Sequence, residues 1–90
     1  MILARVIGTV WATRKDEKIS GMKLQIVRPV DLQYKDKESF FVAVDAVGAG
    51  VGEIVLVVQG SSARQTKLTE NKPVDATIMA IVDKLDVSQA

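Results

Sequence analysis

Residues 47–64 constrain the fold of this chain most, because a glycine-rich turn, an apolar strand and a small polar turn follow one another there directly. Glycines occupy positions 48, 50 and 52, and glycine allows a positive φ angle or a close approach of two backbones. Residues 54–58 read Ile-Val-Leu-Val-Val, which predicts a strand covered on both faces. The glycine turn before this strand suits a tight bend, a phosphate cradle or a contact between subunits.

The phosphate cradle is the least favoured of these three interpretations. Gly48 and Gly50 begin like a dinucleotide fingerprint, but that fingerprint needs a third glycine at position 53 and a helix that follows it. Position 53 is Glu53, an anion, and the residues after it are strand formers. A phosphate-binding loop with Gly-Lys-Ser or Gly-Lys-Thr is also absent from the sequence. Nucleotide binding is therefore not expected.

The length and hydropathy of the chain predict one small soluble domain. Ninety residues bury only about 60 to 65% of the surface of the unfolded chain, so such a domain gains stability from oligomerisation. No apolar run approaches the roughly 18 residues of a membrane span, and the first residues do not follow the pattern of a secretory signal. We expect a single domain over residues 1–90 that resides in the cytosol.

Two residue types are missing, and their absence argues against enzymatic function. The sequence contains neither cysteine nor histidine. The chain therefore lacks the usual zinc ligands, the commonest general base, and both Ser-His and Cys-His nucleophilic pairs. We expect no catalytic residue, no metal and no cofactor.

The charge pattern argues against nucleic-acid binding. The formal net charge is +1, with the two signs scattered along the chain, whereas a nucleic-acid-binding protein usually has a concentrated basic face. The aromatic residues are not interleaved with cations as they are in a platform for single strands. The charged run at residues 35–39 is interpreted as a solvated loop.

Alternating apolar positions predict about five strands. The first predicted strand contains Gly8, where we expect a bend or bulge of the kind that curls a sheet toward a barrel. Residues from about 74 are predicted to form a helical turn before the last strand, and residues 87–90 are expected to fray. The predicted strands cover residues 2–13, 22–27, 40–47, 54–58 and 80–83. Because closure removes unpaired strand edges, we expect a small barrel with short helical turns.

Two polar positions in this pattern admit a chemical interpretation. Asp45 lies in an apolar strand, so we expect its carboxylate to accept hydrogen bonds from the amides of the glycine turn. The alternative is a catalytic acid or metal ligand that pairs with Glu53. Ser61 and Ser62 are interpreted as the start of a short helical turn with a serine cap, since neither has a histidine to activate it as a nucleophile.

Several separated motifs together resemble the EutN/CcmL family of bacterial microcompartment vertex proteins. The segment Asp45-Ala46-Val47-Gly48-Ala49-Gly50-Val51-Gly52-Glu53, followed by Gly60-Ser61-Ser62-Ala63-Arg64, is similar to the family signature. Residues 1–15, 21–27, 74–76 and 81–83 are similar to other parts of the family pattern. The resemblance therefore extends over nearly the whole chain.

This resemblance implies a structural shell protein with a small OB-like β-barrel. It implies five copies in a ring at each vertex of a polyhedral shell in the bacterial cytoplasm, beside six-fold shell proteins and without nucleic acid or membrane. The subunit interface is expected at Asp45, Gly48, Ala49, Gly50, Gly52, Glu53 and Arg64, the axial pore at Ser61 and Ser62, and the contact with six-fold neighbours at Arg14 and Lys15. An OB-like module that binds nucleic acid or another polyanion is the second hypothesis, and a carboxylate-based enzyme that depends on Asp45 is the third.

Overall fold

The computed structural model describes residues 1–88 and contains a closed barrel of five strands in the order β1-β2-β3-β5-β4. The strands are β1 (Ile2–Val10), β2 (Leu24–Pro29), β3 (Phe41–Asp45), β4 (Ile54–Gln59) and β5 (Ala76–Ile81). Short 3-10 turns cover Glu17–Ile19 and Gly60–Arg64. The predicted small β-barrel with short helical turns is confirmed.

Strand pairing closes the sheet without leaving an edge along most of its length. All neighbouring strands are antiparallel except β3 and β5, which run parallel. The register between β1 and β2 shifts between Val6 and Gly8. This shift confirms the bulge that Gly8 predicted, and a bulge at this place bends β1 around the barrel.

The barrel interior is filled by small apolar side chains. The buried cluster contains Ala4, Val6, Val27, Ala43, Ala49, Val55, Val57, Ala76 and Ile78. A five-stranded barrel is narrow, so alanine and valine suit its interior better than aromatic rings. The aromatic side chains lie outside this cluster; Trp11 is 90% exposed and Phe40 is 63% exposed, while Phe41 packs against the cluster from its side.

The last strand differs from its prediction. Residues 74–79 form no helical turn; instead β5 begins at Ala76 and ends at Ile81. An isolated helix of a few residues is marginal, whereas β3 and β4 provide hydrogen-bond partners for β5 on both sides. Tertiary pairing therefore overrides the helical spacing of Val74, Ile78 and Ile81.

Smaller differences concern the ends of elements. Strand β1 ends at Val10 rather than at residue 13, and β3 is shorter than predicted at both ends. Gln59 occupies the cap position of the second 3-10 turn and makes no side-chain cap bond, so the predicted serine cap is wrong. Of the residues expected to fray, Val87 and Ser88 have no regular secondary structure, and positions 89 and 90 lie outside the described residues.

Candidate functional site

The glycine turn is closed by the carboxylate of Asp45 at the end of β3. Asp45 Oδ1 accepts hydrogen bonds from the backbone nitrogens of Val47 at 3.0 Å and Gly48 at 2.9 Å. The Asp45 side chain is only 7% exposed, and these bonds satisfy a carboxylate that would otherwise be costly to bury. The structure confirms the predicted hydrogen bonds between Asp45 and the turn amides.

A buried glutamine joins the glycine turn to the barrel, and the sequence analysis missed it. Gln25 on β2 is 1% exposed. Its Nε2 donates to the carbonyl oxygen of Ala49 at 2.8 Å and lies 3.4 Å from Asp45 Oδ2, while Thr9 Oγ1 donates to its Oε1 at 2.8 Å. The available signal was that Gln25 alternates with Leu24 and Ile26 and shares its side of β2 with Val27, which lies in the barrel core.

Two glycines in the turn need the conformational freedom of glycine. Gly48 has a φ of +78° and Gly52 a φ of +93°, a region that residues with side chains rarely adopt. Gly50 does not have a positive φ; its nitrogen donates to the Glu53 carboxylate at 2.7 Å. A Cβ at Gly50 would lie 3.4 Å from Glu53 Oε1, so a carboxylate at position 50 would be placed beside that of Glu53.

Hydrogen bonds attach the small polar turn at Gly60–Arg64 to neighbouring residues of the chain, while its two serines are exposed. Ala63 is fully buried, and its carbonyl oxygen accepts a hydrogen bond from Thr77 Oγ1 at 2.7 Å. Arg64 Nη1 donates to the carbonyl oxygen of Val74 at 3.1 Å. Ser61 and Ser62 are both exposed, so their hydroxyl groups are available to solvent or to another chain.

The two motifs lie at opposite ends of β4. Glu53 directly precedes this strand and Arg64 belongs to the turn that follows it. Six extended residues place the two ends roughly 20 Å apart, so Glu53 and Arg64 of one chain cannot form an ion pair. Arg14 and Lys15 are exposed in the loop between β1 and β2.

Residues 1–88 contain no cluster of acidic side chains suited to metal binding and no paired carboxylates at Asp45 and Glu53. No group of three or more Asp or Glu side chains within residues 1–88 could hold a metal ion. Asp45 is occupied by turn amides, and Glu53 accepts from Gly50, so these two carboxylates do not form a paired site. In the same part of the chain, no helix has both the length and the apolar composition that crossing a membrane requires.

A shifted pKa occurs in an exposed loop away from these motifs. The backbone N–H of Lys35, followed by that of Gln33, donates to Asp31 and lowers the pKa of its carboxyl below the ordinary 3.8. Such a shift follows from hydrogen bonds that favour the charged form. It indicates a stabilised turn rather than a catalytic acid.

The closed five-stranded barrel with short 3-10 turns defines the class of small β-barrel proteins. The chain belongs to the EutN/CcmL family, because the family profile described as "Ethanolamine utilisation protein EutN/carboxysome" matches residues 1–83. Among curated relatives, the carboxysome shell vertex protein CcmL of Synechocystis sp. is 41% identical over 98% of this chain and 88% of its own length. The microcompartment shell vertex protein GrpN of Rhodospirillum rubrum is 45% identical over 96% of this chain and 97% of its own length.

Solved structures of relatives share the fold over nearly their whole length. CcmL of Nostoc sp. superimposes with a TM-score of 0.93 and 43% identity, covering 97% of this chain and 92% of its own. The structure described as the GrpN pentameric microcompartment shell protein from Rhodospirillum rubrum gives a TM-score of 0.89 and 44% identity, covering 98% and 100%. The resemblance inferred from sequence motifs is therefore confirmed.

Proposed function

We propose that five copies of this chain form a ring that occupies the vertices of a bacterial microcompartment shell. The observation that carries this proposal is the match to pentameric GrpN, which is 44% identical and covers 98% of this chain and all of that one. Identity at this level over the full length of a small barrel supports a similar assembly.

The work of such a ring is geometric. A flat sheet of six-fold tiles cannot close on itself. When a five-fold ring replaces a six-fold position, a wedge is removed and the sheet must curve. A shell vertex protein therefore supplies curvature rather than chemistry, which agrees with the lack of histidine and cysteine in the sequence.

A closed ring needs a head-to-tail interface, in which one surface of a subunit meets a different surface of the next. Strand β4 supports such a contact, because its sequence is apolar on both faces while a single chain leaves two of its apolar residues only half-covered. Val55 and Val57 are fully buried in the barrel, whereas Ile54 and Leu56 on the outer side are half-buried. A neighbouring subunit would provide the missing cover.

The two signature turns would then have different tasks in the ring. In the glycine turn, Gly48, Gly50 and Gly52 provide a thin backbone for the neighbour, and Glu53 is exposed to meet the exposed Arg64 of the adjacent subunit. Asp45 and Ala49 are already buried within one chain, so they would contribute by fixing the shape of this turn. Ser61 and Ser62 would line a narrow polar pore on the five-fold axis.

The outer rim would contact the six-fold tiles of the same shell in the bacterial cytoplasm. Arg14 and Lys15 are the candidates for this contact, because both are exposed in a loop that no strand covers. Their charges would be matched by carboxylates on the tile.

The two other hypotheses are not favoured. A polyanion-binding barrel would concentrate cations on one face, but Arg5 is paired with Asp36 at 2.9 Å and the remaining cations are scattered. A carboxylate enzyme would need a second acid beside Asp45, and Glu53 is engaged at Gly50 instead.

Charge changes at the interface test the ring. We expect Gly50→Asp and Arg64→Glu to give folded chains that no longer assemble, because the first places a carboxylate beside Glu53 and the second reverses the charge that Glu53 meets. Native mass spectrometry reports the ring, and circular dichroism reports the barrel. Gly50→Ala, whose Cβ fits at 3.4 Å from Glu53 Oε1, and Lys67→Glu, an exposed charge reversal near Arg64, are the matched controls. Five-chain rings in both interface variants would contradict the proposed interface.

A further inference from the structure

The chain continues beyond the barrel as an unpaired C-terminal segment. The nitrogen of Val82 donates to the carbonyl oxygen of Ile54 at 2.8 Å, and residues 83–88 then have no regular secondary structure. Leu85 is half-buried and Val87 is 49% exposed. In an extended segment these two side chains point to the same side, so residues 83–88, the C-terminal arm, present a short apolar edge.

A largely apolar cleft, the β3–β5 cleft, lies where residues 42–44 of β3 meet the start of β5. It has a volume of about 170 Å³ and is lined mainly by apolar residues, among them Ile19, Leu24, Val42 and Pro73, together with the carboxylate of Asp75. Val42 is 41% exposed there. An apolar cavity of about 150 Å³ in another protein holds a benzene molecule, so this cleft is large enough for a leucine side chain.

The arm cannot fill the cleft of its own chain. Ala76, which lines the cleft, begins β5, and the arm leaves from the far end of that strand after Ile81. Five residues of strand separate these ends by roughly 17 Å, and a reversal of direction takes a four-residue turn. Leu85 would therefore return only to the level of Ile81.

Lysines flank the cleft and carboxylates outnumber the one lysine of the arm, Lys84, while a single carboxylate, Asp75, lines the cleft itself. Lys18 and Lys23 are exposed and directly adjoin the cleft residues Ile19 and Leu24 in sequence. The arm carries Asp83 and Asp86, both exposed, and no ion pair within residues 1–88 involves them. The arm also leaves the barrel beside Ile54, whose half-buried side chain the proposed ring would cover.

We propose that the C-terminal arm of each subunit docks into the β3–β5 cleft of a second copy of the chain, with Leu85 as its anchor. This inference rests on the proposed ring and adds a specific contact to it. The docked arm contacts the outside of the neighbouring barrel, so it adds to the contacts that β4 makes between subunits. Lys18 and Lys23 pair with the carboxylates of the docked arm.

Crosslinking between introduced cysteines tests this contact cleanly, since the natural sequence has no cysteine. The chain with Leu85→Cys and Val42→Cys is treated with a short bismaleimide and resolved on a denaturing gel. We expect a ladder of linked chains that ends at five. When chains with only Leu85→Cys are co-assembled with chains that have only Val42→Cys, we expect linked pairs, which shows that the contact is between subunits.

A matched pair controls for non-specific reaction. Leu32 is 57% exposed in the loop after β2 and does not line the cleft, so Leu85→Cys with Leu32→Cys should give at most traces of linked chains. Native mass spectrometry of the same samples separates the two proposals. Five-chain rings with no ladder would overturn the arm contact alone, whereas the loss of rings in the unmodified protein would overturn the proposed function.

The strength of the contact is tested by Leu85→Asp. We expect the concentration at which half the rings dissociate to rise roughly tenfold or more, as for an interface anchor. Leu85→Met should restore assembly, because methionine fills apolar gaps of similar size. An unchanged dissociation midpoint for Leu85→Asp would contradict the anchoring role of Leu85.

Discussion

The chain contains two turns that an aspartate closes in the same way but in different surroundings. In the glycine turn, Asp45 Oδ1 accepts from Val47 and Gly48 at 3.0 and 2.9 Å. In the loop after β2, Asp31 Oδ1 accepts from Gln33 and Lys35 at 2.8 and 3.0 Å. These distances do not distinguish the two turns. What differs is that the first turn is joined to the barrel core by Gln25, whereas the second lies among charged residues.

This comparison shows which part of a turn is local and which is tertiary. An aspartate followed by turn residues forms the bonds wherever it occurs. Rigidity comes from the surroundings, because a buried hydrogen-bond network has a defined geometry that solvent cannot replace. The loop after β2 is held by backbone hydrogen bonds, such as that from Lys37 N to the carbonyl oxygen of Pro29 at 2.8 Å, and by Arg5, which contacts Asp36 at 2.9 Å and the carbonyl oxygen of Tyr34 at 2.7 Å. We therefore expect the glycine turn to be the stiffer surface, as an assembly contact requires.

The largest effect is expected from Gln25→Leu. This change leaves the buried carbonyl of Ala49 without its donor and removes the acceptor of Thr9, at about 1–3 kcal/mol for each unpaired group. We expect the free energy of unfolding, measured by urea titration at fixed protein concentration, to fall by about 3 kcal/mol. Gln33→Leu, in the loop closed by Asp31, should change it by less than about 0.5 kcal/mol. Equal losses in the two variants would remove the distinction between the turns.

Removal of the two aspartates compares the turns directly. Asp45→Ala should reduce the free energy of unfolding by about 1–2 kcal/mol, in the range of a lost capping side chain. Asp31→Ala should reduce it less, because the freed amides of that loop reach water. The same urea titrations report both values. Asp45→Asn, which keeps an acceptor oxygen, should retain most of the stability, and a larger loss for Asp31→Ala than for Asp45→Ala would contradict the comparison.

Backbone conformation gives a third test. Gly52 has a φ of +93° with no atom within 4 Å of an added Cβ, so Gly52→Ala should cost about 1–2 kcal/mol from the backbone alone. Tyr34 in the other loop already holds a φ of +62° without being glycine. Tyr34→Gly should therefore change stability little, because relief of strain is opposed by greater freedom of the unfolded chain. Thermal unfolding followed by circular dichroism compares the midpoint temperatures of the two variants. A larger loss for Tyr34→Gly than for Gly52→Ala would contradict this expectation.

The smallest expected effect is the pH dependence of Asp31. The pKa of its carboxyl is lowered below 3.8 by the backbone N–H groups of Lys35 and Gln33, so its charged form stabilises the fold. This contribution is present above the ordinary pKa and is lost as pH falls through the lowered value. The difference in urea midpoint between the natural chain and Asp31→Asn should be small at neutral pH and should disappear once the pH has fallen below the lowered pKa. A difference that grows on acidification would show that the sign is wrong.

The sequence predicted the parts of the fold that depend on local pattern. Alternation predicted a strand over residues 2–13, and alternate residues of β1, such as Ala4 and Val6, are fully buried. The bulge at Gly8 and the hydrogen bonds of Asp45 followed from residue chemistry. Strand β5 was mispredicted because its identity depends on β3 and β4, which are distant in sequence. Gln25 was missed because a polar residue on a strand usually faces water, and only the side that it shares with Val27 indicates that it faces the barrel interior.

The assembly surfaces could be predicted only by resemblance, since they are completed by a second chain. Within one chain, the glycine turn and the Gly60–Arg64 turn lie at opposite ends of β4. An ion pair of Glu53 with Arg64 could therefore form only between subunits. The cleft beside β3 was not predicted, because its walls come from residues 19–24, 42–44 and 73–76, which the fold alone brings together.

Native mass spectrometry of the purified natural chain, repeated over a range of ionic strength, tests the central claim most directly. We expect a mass of five chains that persists as salt is raised, because the apolar outer side of β4 and the C-terminal arm contribute contacts that salt does not screen. A monomer or dimer that binds oligonucleotide with a strong salt dependence would contradict the proposed ring and favour the polyanion-binding hypothesis. A mass of six chains would contradict the explanation of shell curvature.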